Sequence, residues 1–359
     1  MKLYYLLPLF ASLSLAAKLD LWDVDDSCTP YRDALQKAYN DAEVTAVKSQ
    51  DDLETLLDGR PRYSKQDASS VSNWDRVARA VTNMFGFVPN KGGHDPKESH
   101  YSNVMYVFDR MEKALHQGVM VSGNGYGGLK PLILCDQNKF KWIRKDDKDP
   151  NDPANHPVRE SRANEIKGSA VKKSIGLCDG GDIWAVRLTR FDLVTFCPRS
   201  FIDDVANTKS AVDARGSVKI GDGLDSFGHT SLSRVMVHEL AHWFGGSRSG
   251  GPENREVPDQ PVVGKDGDFV YRHPITKKFT TDASTPNKQK IVTYDYFPIG
   301  EYAGNTGPSK ATITAEAYAI FAMMSYMDNF DWADDGKSKL LTQEIPYNDL
   351  PNNKEARLG

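Results

Sequence analysis

The chain has little cysteine, no glycosylation acceptor and no excess of charge of either sign. Each lack narrows what its 359 residues can be. The four cysteines are Cys28, Cys135, Cys178 and Cys197, and none is spaced from another as a zinc-ligand pair, which argues against a cysteine-based metal module. An even number on an oxidising route predicts two disulfides; three connectivities are open, and pairing of Cys178 with Cys197 or with Cys135 is preferred. The absence of any N-x-S/T triplet removes N-glycosylation. Acidic residues number 49 and basic ones 45, so nothing favours nucleic acid or an anionic membrane as partner. No apolar stretch is long enough to span a bilayer. The longest, residues 3–15, follows Lys2, and small Ser14 and Ala16 sit three and one residues before a cleavage point at Ala17, so residues 1–16 are expected to be a secretory signal peptide.

What is present centres on residues 231–246, SLSRVMVHELAHWFGG. His238, Glu239 and His242 form H-E-x-x-H. On a helix, positions i and i+4 share a face, so both imidazoles can address one ion, and Glu239 is aimed at a water beside it. Thr230, Ser231 or Ser233 can cap the helix start. Leu232, Val235, Met236, Leu240 and Phe244 give an apolar stripe, and Gly245-Gly246 ends it. Trp243 is expected to pack beneath the site.

Upstream, residues 20–60, 72–85 and 101–117 read as helices. Residues 132–135, 140–143, 182–188 and 192–197 read as strands. The last of these is a candidate for the sheet edge that lines a substrate cleft. Residues 247–289 are a loop-like insert in which 268–272 can pair with 278–281 as a hairpin. Residues 314–327 are apolar nearly all round and predict a buried helix. This order is α+β: a signal peptide (1–16), a helical N-terminal region that is part of one domain or a prodomain (17–125), a zincin-like catalytic domain (126–332) and a polar C-terminal tail (333–359).

A catalytic zinc takes three protein ligands and keeps one position open for water. The third-histidine pattern H-E-x-x-H-x-x-G-x-x-H fails here because Arg248 stands at its last position. An acid on a following helix would serve, and Glu316 is placed for it.

HELAHWFG, followed by Thr293-Tyr294-Asp295-Tyr296 and then Ala315-Glu316-Ala317-Tyr318-Ala319, resembles the fungal deuterolysin-type zinc peptidases, the aspzincins, over residues 180–330. The resemblance implies Asp295 as third zinc ligand and Glu316 as a supporting acid. Three features depart from the family pattern: Val292-Thr293 replaces the Gly-Thr before the ligand, Ile299-Gly300 replaces the Tyr-Gly after it, and the insert 247–289 lengthens the spacing from His242 to Asp295. The reading that follows is a secreted, monomeric endopeptidase holding one Zn2+ per chain. Its substrates are proteins or peptides, with neither nucleic acid nor membrane as partner. Glu239 acts as general base. An oxyanion donor is sought among Tyr294, Tyr296, Tyr302 and Tyr318, with Tyr302 or Tyr318 preferred. The competing readings are a secreted zinc-binding protein without proteolytic activity, and a structural site closed by His229.

Overall fold

A computed structural model of the protein describes residues 19–61, 68–90, 92–93, 99–119, 130–136, 141–142, 158–160, 165–167, 178, 183–188, 192–228, 230–246, 256–264, 266–273, 275–276, 278–292 and 294–341. The expected signal peptide, His229, Arg248 and residues 342–359 lie outside them.

The fold is mixed α+β, with long helices around small sheets. Three helices come first: α1 (Arg32–Glu54), α2 (Ala68–Phe85) and α3 (Ser99–Leu115). Between α1 and the first residues runs β1 (Asp23–Val24), a strand too short for a pattern-based reading to detect. It pairs in parallel with β2 (Leu132–Leu134), and Cys28 is bonded to Cys135 beside that pairing. The second disulfide joins Cys178 to Cys197, so of the two partners expected for Cys178 the structure has Cys197.

Two short pairings, β3 (Lys141–Trp142) with β4 (Val158–Glu160) and β4 with β5 (Glu165–Lys167), form a sheet of their own. The main sheet continues with β6 (Ala185–Leu188) and β7 (Leu193–Phe196) and has the order β1-β2-β7-β6, with only β6 antiparallel to its neighbour. The cleft-edge role expected of residues 192–197 is therefore corrected. β7 lies between β2 and β6, and all four of its side chains are buried, as an interior strand covered on both faces requires. Among the described residues the sheet ends at β6 on this side and at β1 on the other.

Two short helices, α4 (Asp203–Ala206) and α5 (Ala211–Ala214), lead to α6 (Leu232–Gly245), which carries the H-E-x-x-H motif. Ser231 is its cap, accepting from the Arg234 N–H at 3.3 Å, and Gly246 leaves the helix at φ 100°, a conformation open to glycine. Beyond it, β8 (Tyr271–Arg272) pairs with β9 (Phe279–Thr280) as the expected hairpin, with β10 (Gln289–Lys290) on the other side of β8. Then come α7 (Tyr296–Thr306), α8 (Pro308–Ala311) and α9 (Ala315–Tyr326), the last buried all round. Finally β11 (Phe330–Asp331) pairs with β12 (Lys339–Leu340), so the segment expected as a tail starts against the body, with Ala333 and Ser338 buried.

One core holds these parts together. α1 packs against α3, α6 and α9, and side chains from the N-terminal helices share a cluster with Leu240, Phe244, Ile320 and Phe321. Ser233 of α6 donates to Asp41 of α1 at 2.6 Å. Trp243 does lie under the motif: its ring sits 5.1 Å from Trp22, and its N–H donates to Asp192 at 2.8 Å. The helix bearing the motif is thus clamped from below by aromatic packing and a buried hydrogen bond.

Candidate metal centre

α6 delivers His238 and His242 one turn apart with their rings at 85° and 4.6 Å between centroids. Each ring is fixed through Nδ1. His238 donates to Glu316 Oε2 at 2.6 Å, and His242 donates to the Val257 carbonyl. Securing Nδ1 leaves Nε2 of both rings directed into one space, the usual way a protein orients imidazole ligands. The two Nε2 atoms are 3.0 Å apart.

The third atom there belongs to Asp259. Its Oδ1 lies 3.0 Å from His238 Nε2 and 3.4 Å from His242 Nε2. Ligand atoms about 2.0–2.1 Å from a tetrahedrally bound metal ion are separated by ~3.3 Å, so this donor set has the spacing to hold one. Among the described residues, His238, His242 and Asp259 are the group able to hold a metal ion.

Asp259 stands in the segment 256–264, whose residues 256–259 line the cavity without regular structure and whose remainder carries only isolated bridges at Pro261 and Val263. Its position is set by neighbours: the Ala315 N–H donates to the Pro258 carbonyl at 3.4 Å, and Gln260 donates to the Ile313 carbonyl at 3.2 Å. Nothing local in the sequence marked Asp259, because it comes from an aperiodic insert.

Asp295, expected as third ligand, is not brought to the histidines. It is exposed and precedes α7 in extended backbone (φ −107°, ψ 160°), where successive side chains point opposite ways. Tyr294 occupies the cavity side, its ring 5.8 Å from that of His238, while Asp295 does not line the cavity. Glu316, at the first turn of α9, lies behind His238 rather than in the donor set, and Arg234 bridges it at 2.5 Å. Arg234 also donates to the Tyr294 carbonyl, so one guanidinium ties the supporting acid to the tyrosine.

Neither preferred oxyanion donor reaches the cavity. Tyr302 donates to Gln260 Oε1 at 2.9 Å, bracing the segment that carries Asp259. Tyr318 is fully buried between α3 and α9 and donates to the Thr312 carbonyl at 2.7 Å. Tyr296 donates to the Ala333 carbonyl at 2.6 Å. Of the four tyrosines weighed, Tyr294 is the one that lines the cavity.

The cavity measures about 680 Å³ and runs between α6, the outer strand β6 and residues 256–259. Glu239 faces it with Oε2 buried and without a hydrogen-bond partner. Burial raises the Glu239 carboxyl above its usual range, against the opposing pull of His242 and His238. Burial also disfavours a charged His238, yet Asp259 and Glu316 together outweigh it and raise that imidazole well above the usual value. Asp259 shows the converse: burial acts against its charge, and His238 holds it below the carboxylate range. Burial, then Asp259, Glu316 and Glu239, raise Tyr294 and keep its hydroxyl protonated. The arrangement is a two-histidine, one-carboxylate donor set with an unpaired glutamate beside it in a cleft.

Comparison of the chain with protein-family models, with curated proteins and with solved structures returns no match. Among the described residues no helix is long and apolar enough to cross a membrane.

Proposed function

We propose that this chain is a secreted zinc-dependent endopeptidase of zincin type, a divergent relative of the deuterolysin group that takes its third ligand from Asp259. The observation that carries the reading is the meeting of His238 Nε2, His242 Nε2 and Asp259 Oδ1 within 3.4 Å, with the unpaired Glu239 carboxylate facing the same cavity. Two disulfides and the apolar leader support an extracellular setting.

Zinc held by these three groups would supply a Lewis acid and bring the pKa of water down to about 7. Glu239 accepts the proton of the attacking water. Its raised pKa then suits it to return that proton to the departing amine nitrogen. Tyr294, kept protonated, donates to the oxyanion that develops on the peptide carbonyl. β6 receives the substrate as an added strand, since its outer edge faces the cleft. Glu316 holds His238 in the tautomer that presents Nε2.

Zinc content and casein hydrolysis, measured side by side for the parent, Glu239→Gln and Tyr294→Phe, test this reading. One zinc in each is expected, with hydrolysis abolished by Glu239→Gln and kcat lowered about 10²–10³-fold by Tyr294→Phe. Zinc in the parent without hydrolysis would leave the zinc-binding reading. No zinc at all would overturn both.

A further inference from the structure

Three arginines line the cavity, and two of them, Arg234 and Arg187, differ in their partners. Arg234 is committed to Glu316 and to the Tyr294 carbonyl. Arg187, on β6, donates once, from Nη2 to the Gly246 carbonyl at 3.1 Å, and its buried Nε has no partner. No carboxylate among the described residues forms an ion pair with it. Glu256, Asp192 and Glu239 act on it only through space. Desolvation dominates and pushes Arg187 down to about 10, so it stays charged at neutral pH. A partly buried cation whose nearby carboxylates stay outside ion-pair distance can still take a directly bonded anion.

Its location indicates what that is. Arg187 is part of the cleft wall on an outermost strand of the sheet, close to Glu239, and its single hydrogen bond pins it to the end of α6. Arg199, the third arginine of the cavity lining, is exposed. A planar guanidinium with open N–H groups matches a carboxylate in geometry as well as charge. We infer that Arg187 is a specificity-determining residue that binds a carboxylate of the peptide lying along β6, either an acidic side chain or the free C-terminus. This rests on the peptidase reading for the nature of the ligand but not for the existence of the anion subsite.

Four peptides of one sequence separate the possibilities: an internal Glu or Gln, each with a free or an amidated C-terminus. Binding is measured by calorimetry on the zinc-loaded full chain carrying Glu239→Gln, and hydrolysis on the parent. One carboxylate-bearing peptide should bind about ten- to a hundredfold more tightly than the neutral one, the range of a charge-assisted hydrogen bond to a buried group. Preference for internal Glu identifies a side-chain subsite, and preference for the free terminus identifies an end-recognising one. Adding Arg187→Gln should erase the preference, and Arg187→Lys should keep part of it, with zinc content and melting temperature as checks of folding. Equal binding of all four peptides, or a preference that survives Arg187→Gln, overturns the inference. Equal hydrolysis of all four by the parent sinks the inference and leaves the peptidase reading standing. Selective binding without hydrolysis does the reverse, and neither binding nor hydrolysis of any peptide overturns both.

Discussion

The two walls of the cavity are built differently. The α6 wall is a capped helix resting on the core, and each of its imidazoles is fixed by a second partner, Glu316 or the Val257 carbonyl. The opposite wall, residues 256–259, has no regular structure, and Asp259 keeps 37% of its side chain accessible. Helix geometry alone turns His238 and His242 toward one space. Asp259 arrives only because tertiary contacts with α9 and its approach hold its neighbours. A metal site assembled this way joins a rigid half to a dependent half, and the dependent half is where affinity can be tuned.

The largest expected effect removes the dependent half outright. Asp259→Ala should lower zinc affinity by more than the 10–100-fold typical of an outer-shell substitution, because it deletes a donor atom. Asp295→Ala should leave zinc affinity unchanged, since that carboxylate does not line the cavity. Competitive titration against a chelator measures both. A loss of zinc in Asp295→Ala with retention in Asp259→Ala would restore the arrangement implied by the deuterolysin resemblance and refute the one seen here.

The same division explains what could be read from the residues. The α6 cap, stripe and terminal glycines are local signals, and so are the apolar run of α9 and the β8–β9 hairpin; all three elements form where those signals place them. The readable helix places Glu316 near the motif as a candidate ligand, and its supporting role is what the deuterolysin resemblance implies. Asp259 is not legible, because its segment has no periodicity and its approach to α6 is a long-range event. The edge strand is hidden for a related reason. Apolar residues 193–196 look like any buried strand, and only sheet order reveals that β7 is interior and β6 is outermost. β1 eluded detection because two residues carry no pattern.

A middle-sized effect probes how the rigid half is held. Glu316→Gln should lower zinc affinity about 10–100-fold by weakening the bond that orients His238. It also strips Arg234 of its buried counter-charge, a separate destabilisation that would shift the melting temperature. Combining it with Arg234→Met removes the stranded cation. Any zinc-affinity loss that remains in the double variant then reports on His238 alone. If the double variant binds zinc as tightly as the parent, Glu316 serves Arg234 and not the metal ligand.

The smallest effect tests the dependent half at one remove. Tyr302 touches no donor atom, yet its hydroxyl donates to Gln260, the residue after Asp259, and Gln260 in turn donates to the Ile313 carbonyl ahead of α9. Tyr302→Phe deletes one hydrogen bond worth about 1 kcal/mol, which as an affinity change is about fivefold. That full amount reaches zinc binding only if the segment loosens as a unit and must be reordered when Asp259 engages the ion. Should the loosening be local to Gln260, the cost falls on global stability instead, as a melting temperature lower by about 2 °C with zinc affinity intact. Measuring both quantities on this one variant therefore decides whether residues 256–264 behave as a single braced strut or as independently anchored residues.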